Sequence, residues 1–169
     1  MKIFKCVICK NPYIGKEKPS NCSYCGVFSR FFQEAGKISD DNPFFDNETE
    51  NYMLRIYEDK SKNRIFYKKA LINIGSEKLK NLVSAFENIE NTHIQILEDL
   101  GISKNLTEKN PHVYRFEEDN ITEVFQRKKS LVNFQKKILK RIYDPSLVVL
   151  LDALSEAEEA HLKILENYM

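Results

Sequence analysis

All four cysteines of this 169-residue chain lie within its first 25 residues, in two C-x-x-C pairs. Cys6 and Cys9 form the first pair, Cys22 and Cys25 form the second, and 12 residues separate the pairs. Each pair aims two sulfurs at one point, so two pairs can close a tetrahedral four-sulfur site, which favours iron or zinc. Two disulfides are the alternative, and they fit poorly because the start of the chain does not resemble a signal peptide.

Residues 1–37 are predicted to form a small unit around this thiolate site. The segment holds seven basic and two acidic residues. It is too short to fold on its apolar core alone, so we expect a bound metal to stabilise it. Zinc would make the site a structural ribbon, whereas iron would make it a one-electron centre. The net charge of the whole chain is only +1. We therefore expect no nucleic-acid partner.

No apolar run in the chain approaches the roughly 18 residues that would span a bilayer. The sequence therefore predicts a cytoplasmic protein with no membrane partner. Its many Leu, Ile, Lys and Glu residues favour helices, and its few Gly and Pro residues argue against a loop-rich all-β fold.

Four long helices are predicted after a linker at residues 38–46. The first extends from about residue 47 to Gly75, and the second from Ser76 to Gly101. A long connection over 102–117 leads to a third helix that starts near Asn120, and Pro145 opens the fourth. Short, long and short connections predict two helical hairpins joined by a crossover in a four-helix bundle. The predicted buried stripe of the first helix consists of Leu54, Tyr57, Ser61, Ile65, Lys68 and Ile72, with Glu58 inside it.

The motif Glu-x-x-His occurs twice, as Glu90 with His93 and as Glu158 with His161. Positions i and i+3 share a face of a helix, and both motifs lie on apolar faces, where an unpaired carboxylate would be costly. Carboxylate and imidazole together suit iron or manganese, and a two-metal bundle site draws such a pair from each of two helices. The alternative is two buried histidines that hydrogen-bond to neighbouring groups.

The cysteine segment resembles the short rubredoxin-like domain of rubrerythrins in its knuckle spacing, Gly15, Pro19 and Gly26. Two positions depart from that pattern, because Lys10 and Ser23 stand where the family usually has glycine and proline. The first helix carries a further resemblance, because Glu58 is followed at the family spacing by Asn63, Arg64 and Tyr67.

The order of the two domains resembles that of reverse rubrerythrins. The resemblance implies a mainly α fold, with a small rubredoxin-like or zinc-ribbon, β-rich metal domain at residues 1–37. A ferritin-like up-down four-helix bundle with a long crossover follows at residues 47–169.

In function, the resemblance implies an oxidoreductase of the rubrerythrin type, a peroxidase. The iron held by the four cysteines passes single electrons to a carboxylate-bridged di-iron site, which reduces hydrogen peroxide, and in some members dioxygen, to water. Expected partners are a reductant protein or flavoprotein and further copies of the chain, in a homodimer or larger assembly. The implied catalytic and metal-binding residues of the bundle are Glu58, Glu90, His93, Glu158 and His161.

The third helix departs from the family pattern, which places a glutamate about 33 residues before the last Glu-x-x-His. Positions 125–128 carry no acid, and the nearest carboxylate is Glu123, which also has capping-box spacing from Asn120. Lys128 lies on the predicted core stripe and could place an ammonium group where a metal or its ligand would be. Glu123 is thus either a metal ligand or a helix cap.

Two alternatives stay open, and only the first of them follows from that departure. The first is a degenerate family member whose bundle holds one metal or none and which serves as an electron-transfer, iron-binding or zinc-stapled structural protein. The second is a zinc ribbon on an unrelated helical bundle that acts as a partner-binding module.

Overall fold

A computed structural model describes residues 1–22, 24, 27–37, 45–106 and 111–169 of the chain. The predicted ligand Cys25 and most of the predicted linker at 38–46 lie outside the described residues. The described chain is mainly helical, with a small antiparallel sheet near its start. The strands are β1 (Lys2–Cys6), β2 (Pro12–Gly15) and β3 (Phe32–Lys37), and the long helices are α1 (Asn47–Ala70), α2 (Glu77–Asp99), α3 (Glu117–Leu139) and α4 (Pro145–Leu165).

The sheet has the strand order β2-β1-β3. Ile3 of β1 lies opposite Ile14 of β2, and both side chains are buried in the same apolar cluster as residues of α1, α2, α3 and α4. The sheet unit, which we define as the described part of residues 1–37, therefore packs directly on the helices. Exposed charges add one cross-contact, between Lys5 of β1 and Glu156 of α4.

Local capping chemistry fixes most helix ends where the sequence predicts them. The side chain of Ser76 accepts a hydrogen bond from the Leu79 N–H at 3.4 Å, and this bond opens α2. Gly101 adopts a φ of 80°, and the Ile102 N–H then donates to the Leu97 carbonyl at 2.9 Å, which closes α2 in a Schellman motif. At the start of α4, the Asp144 side chain accepts from the backbone N–H of Leu147 at 3.0 Å.

The start of α3 differs from the prediction. The helix begins at Glu117, so Asn120 lies inside its first turn and is buried. The Asn120 amide turns back to the preceding loop, where it accepts from the Tyr114 N–H at 3.0 Å and donates to the Tyr114 carbonyl at 2.8 Å. Glu123 pairs with Arg127 one turn later, at 2.7 Å. The predicted capping box of Asn120 and Glu123 is therefore wrong.

The buried face of α1 also differs from the predicted stripe. Lys68 is exposed, and Ile72 is 82% exposed. Apolar residues occur at more than one angle around α1, so periodicity alone fits two different faces, and the neighbouring helices select between them. The buried residues of α1 are Thr49, Met53, Ile56, Tyr57, Lys60, Ser61, Asn63, Phe66, Tyr67 and Ala70.

The helices divide the apolar interior into two clusters. One cluster lies nearer the sheet unit and includes Ile56 of α1 and Leu154 of α4, whereas the other includes Phe66 of α1 and Leu165 of α4. Between these levels each long helix contributes buried polar residues, which form the site described next. Among the described residues, no helix has the length and apolar character needed to cross a bilayer.

Candidate functional site

Three cysteines meet in the sheet unit. Sulfur atoms of Cys6, Cys9 and Cys22 all lie within 4.8 Å of one another, and we call these residues the thiol cluster. The Cys9 and Cys22 sulfurs are 3.6 Å apart, well beyond the roughly 2.05 Å of a disulfide bond. This arrangement offers three converging donors for a thiophilic metal, and the sequence supplies Cys25 as the fourth.

The first knuckle keeps its turn although Lys10 replaces the glycine usual in the resembled family. The Lys10 N–H donates to the Cys6 carbonyl at 2.8 Å, and Lys10 adopts a φ of 64°, in the left-handed region that favours glycine. For a residue with a side chain this conformation costs roughly 1–2 kcal/mol. The turn between Cys6 and Lys10, which directs both sulfurs of the knuckle to one side, therefore forms despite the conformational cost at Lys10.

Both Glu-x-x-His motifs meet at the centre of the four helices. Donor atoms of Glu90, His93 and Glu158 lie within 4.8 Å of one another, and this group by itself is compatible with a metal. His161 joins it, with Nδ1 lying 3.3 Å from a carboxylate oxygen of Glu158. Four of the five residues implied for the bundle site therefore come together, and all four are buried.

Two lysine side chains lie among these donors. The Lys60 ammonium donates to Glu90 at 3.0 Å, to Glu158 at 2.6 Å and to Nδ1 of His93 at 3.1 Å. Both lysine side chains are fully buried. We call the six residues Lys60, Glu90, His93, Lys128, Glu158 and His161 the lysine cluster.

Lys128 repeats this arrangement on the other side. Its ammonium donates to Glu158 at 2.7 Å, to Glu90 at 3.2 Å and to Nδ1 of His161 at 3.1 Å. Each carboxylate thus bridges the two ammonium groups through its two different oxygens.

A signal for Lys60 was present in the sequence. Lys60 precedes Glu90 by 30 residues, and Lys128 precedes Glu158 by the same 30. The chain therefore contains the unit Lys-x29-Glu-x-x-His twice, once in α1 and α2 and once in α3 and α4. The prediction for α1 relied instead on Glu58, two residues from the position that faces the cluster.

Opposite charges in the cluster stabilise one another. Burial would lower the pKa of both lysines, but the carboxylates of Glu158 and Glu90 outweigh it and raise the pKa of each. Burial would likewise raise the pKa of Glu158, yet the two ammonium groups hold this pKa well below its usual range. Two ammonium groups therefore balance two carboxylates, and the cluster carries no net charge when its histidines are neutral.

The two histidines are held in the neutral form. Burial and the Lys128 ammonium lower the pKa of His161 to about 3. Burial and the Lys60 ammonium lower the pKa of His93 in the same way. Each imidazole therefore serves as a hydrogen-bond acceptor for a lysine, through Nδ1.

The lysine cluster does not fit a bundle metal in addition to its lysines. Each ammonium uses its three N–H bonds on two carboxylates and one imidazole, which are the groups that a metal would need. A cation at either place would meet an ammonium group at contact distance. The carboxylates and imidazoles that could bind a metal are thus already hydrogen-bonded to side chains of the chain itself.

The remaining residues implied for this site lie elsewhere, which corrects two expectations. Glu58 is on the outer side of α1, where its carboxylate pairs with Lys62 at 2.6 Å and Lys104 at 3.4 Å. Glu123 pairs with Arg127 on its own helix. Because α1 turns Lys60 inward, Glu58 faces outward and away from the cluster.

The sheet unit touches one half of the cluster. The Tyr24 ring, between the second pair of cysteines in sequence, stacks on the His161 ring with centroids 5.2 Å apart. Phe86 of α2 lies on the same imidazole, with centroids 4.4 Å apart, and the His161 Nε2 atom is buried without a hydrogen-bond partner among the described residues. Tyr24 also packs against the apolar cluster that contains Cys6 and Cys22, so its ring lies between the thiol cluster and the lysine cluster.

Comparisons of this chain with protein-family models, with curated proteins and with solved structures found no match.

Proposed function

We propose that this chain is a rubrerythrin-like, ferritin-like protein in which two lysine ammonium groups have replaced the two metals of the helical bundle. Its metal chemistry then resides in the thiolate site alone, and it acts as a one-metal electron-transfer protein and not as a peroxidase. The proposal is carried by one observation, the three hydrogen bonds that each buried ammonium makes to the former metal donors.

The charge balance of the cluster supports this assignment. A di-metal site neutralises its carboxylates with metal cations, and here Lys60 and Lys128 supply the positive charge at two matched positions. A two-electron reduction of peroxide needs a centre that changes oxidation state, and neither ammonium, carboxylate nor neutral imidazole does so. The helical part of the protein then has a structural role, and it supports the thiolate site.

The thiolate site is where a metal fits. Cys6, Cys9 and Cys22 would hold the metal together with Cys25, and such a four-thiolate site supplies one-electron transfer when it contains iron. Tyr24 stacks on His161 of α4, so the sheet unit that carries the thiol cluster contacts the helices directly.

Metal analysis of the purified chain tests the proposal. We expect one metal per chain, with a visible thiolate-to-iron absorption, and no metal in the Cys22→Ser variant after dialysis against Fe²⁺ or Mn²⁺. In the presence of a reductant, we expect the unmodified chain to consume peroxide no faster than the Cys22→Ser variant does. One or two metals retained by Cys22→Ser and then lost in Cys22→Ser/Glu90→Gln would overturn the proposal. A colourless protein with one zinc would overturn the electron-transfer role alone.

The matched gain-of-binding variant is Lys60→Glu/Lys128→Glu in the Cys22→Ser background. It replaces each ammonium by a carboxylate at the position that faces the bridging glutamates. We expect this variant to bind two divalent cations per chain and to depend on them for its fold, because four buried carboxylates without a cation are strongly destabilising. The control Lys62→Glu changes an exposed lysine of the same helix and should bind none.

A further inference from the structure

A cavity of about 260 Å³ opens where the sheet unit meets α2. Tyr13, Ile14 and Tyr24 line it from the sheet unit, and Asn88, Ile89 and His93 line it from α2. None of the described residues that line it is charged, because the one histidine among them, His93, is held in the neutral form. Ligand sites are typically concave, mostly apolar and placed between structural units, with a few polar groups, and this cavity has those properties.

The orientation of hydrogen on His93 follows from its contact with Lys60. The ammonium donates to His93 Nδ1 at 3.1 Å, and an ammonium group cannot accept, so Nδ1 carries no proton. A neutral imidazole then carries its proton on Nε2. His93 therefore has one N–H donor that is not used by the cluster, and its side chain lines the cavity.

The two halves of the lysine cluster differ at this point. His161 occupies the equivalent position in the second Lys-x29-Glu-x-x-His unit, but its side chain is fully buried between Tyr24 and Phe86. The His93 side chain keeps 9% exposure and borders the cavity instead. The sheet unit therefore surrounds the two histidines differently, because Tyr24 stacks on His161 whereas a cavity lies beside His93.

We infer that this cavity binds a small, uncharged, planar molecule that carries a carbonyl oxygen. The carbonyl oxygen accepts from His93 Nε2–H, while the ring of the molecule packs against Tyr13, Ile14 and Ile89. The volume is below the roughly 300–1,000 Å³ of sites for drug-sized ligands, which limits the molecule to a single substituted ring.

An uncharged ligand is favoured for two reasons. No described lining residue supplies a counter-charge, so an ion would lose its hydration without compensation. The nearest charges belong to the lysine cluster, where two carboxylates balance two ammonium groups and leave no net charge to attract an anion. This inference goes beyond the proposed electron transfer, because it needs no metal and rests on the cavity lining and on the contact between Lys60 and His93.

Benzamide, benzoate and toluene share one ring and differ in its substituent, so they test which ligand the cavity prefers. Each is titrated into the purified full chain, and binding is followed by two-dimensional amide NMR. We expect benzamide to bind saturably and to shift signals of Tyr13, Tyr24 and His93. Toluene lacks the acceptor and benzoate carries a charge, so each should bind about tenfold more weakly. Equal or tighter binding of benzoate, or no saturable shift with benzamide, would overturn the inference.

Two variants locate the binding. Ala85→Phe introduces a ring from a lining residue of α2 and should abolish binding of all three probes, whereas Asn91→Phe alters an exposed position of the same helix and should leave it unchanged. His93→Phe should remove the preference for benzamide over toluene. Because that variant also removes a cluster hydrogen bond, Ala85→Phe provides the test that does not disturb the lysine cluster. Retention of benzamide binding by Ala85→Phe would place the site elsewhere and overturn the inference.

Discussion

The thiol cluster and the lysine cluster are both groups of converging metal-donor side chains, and in the lysine cluster the chain itself supplies two cations. In the lysine cluster, two ammonium groups satisfy two carboxylates and two imidazoles at distances of 2.6–3.2 Å. The thiol cluster instead gathers three sulfurs of like chemistry. Donor residues at metal-site spacing therefore predict that the donors converge, whereas the other residues at the same level of the helices determine whether an ammonium group already occupies the space between them.

The largest expected effect comes from removing one cation of the lysine cluster. Lys128→Met leaves two buried carboxylates with a single ammonium, and breaking a buried ion pair in this way costs about 3–5 kcal/mol. We expect this loss in the free energy of unfolding measured by urea denaturation. The exposed pair gives the control, because Lys62→Met should cost less than about 1 kcal/mol.

A second change should restore part of the loss. Lys128→Met/Glu90→Gln keeps one ammonium with one carboxylate, so we expect it to be more stable than Lys128→Met alone. A Lys128→Met protein as stable as the wild type would show that the Lys128 ammonium is not paired as described. The difference drawn between the lysine cluster and the thiol cluster would then be wrong.

Acid should weaken the lysine cluster through its histidines. The folded pKa of His161 is lowered to about 3, whereas an unfolded histidine titrates near 6.5. Between these values the unfolded chain binds a proton that the native state does not, so stability rises with pH and falls on acidification. For His161 alone the loss between pH 7 and pH 4 is about 3 kcal/mol, and His93 acts in the same direction.

Urea denaturation at pH 7, 5.5 and 4 measures this dependence. His161→Gln should flatten the decline, whereas His112→Gln should not, because His112 is exposed. The Glu158 contribution is complete at pH 7 and 5.5, begins to be lost near pH 4 as the unfolded carboxyl takes up its proton, and is lost further at lower pH, because the pKa of Glu158 is held well below its usual value in the folded chain. Stability that is unchanged or increased at pH 4 would contradict the neutral, buried state of the imidazoles.

The smallest effect is expected for the ion pair that joins the sheet unit to α4. Lys5 and Glu156 approach to 2.8 Å, but their side chains are 43% and 40% exposed. Glu156→Gln should therefore change the free energy of unfolding by about 0.2–1 kcal/mol, and added salt should remove the difference. An effect as large as that of Lys128→Met would show that burial does not explain why the ion pairs of Lys128 contribute more to stability than the pair of Lys5 and Glu156.

Sequence reasoning recovered those parts of the site that depend on local chemistry. The i, i+3 spacing of Glu90 with His93 and of Glu158 with His161 places each pair on one face of a helix wherever that helix packs. Ser76, Gly101 and Pro145 mark helix ends because capping depends on neighbours in sequence. Lys128 was likewise predicted on the core stripe of α3, and the structure buries it there.

Local patterns in the chain were therefore enough to predict four helices and the two Glu-x-x-His faces, although not every helix end. They were not enough to predict that α1 presents Lys60 and not Glu58 to the cluster. Because α1 carries apolar residues around more than one face, its rotation is set by packing against α2 and α3. A rotation of α1 by two positions would exchange the ammonium of Lys60 at the centre of the protein for the carboxylate of Glu58.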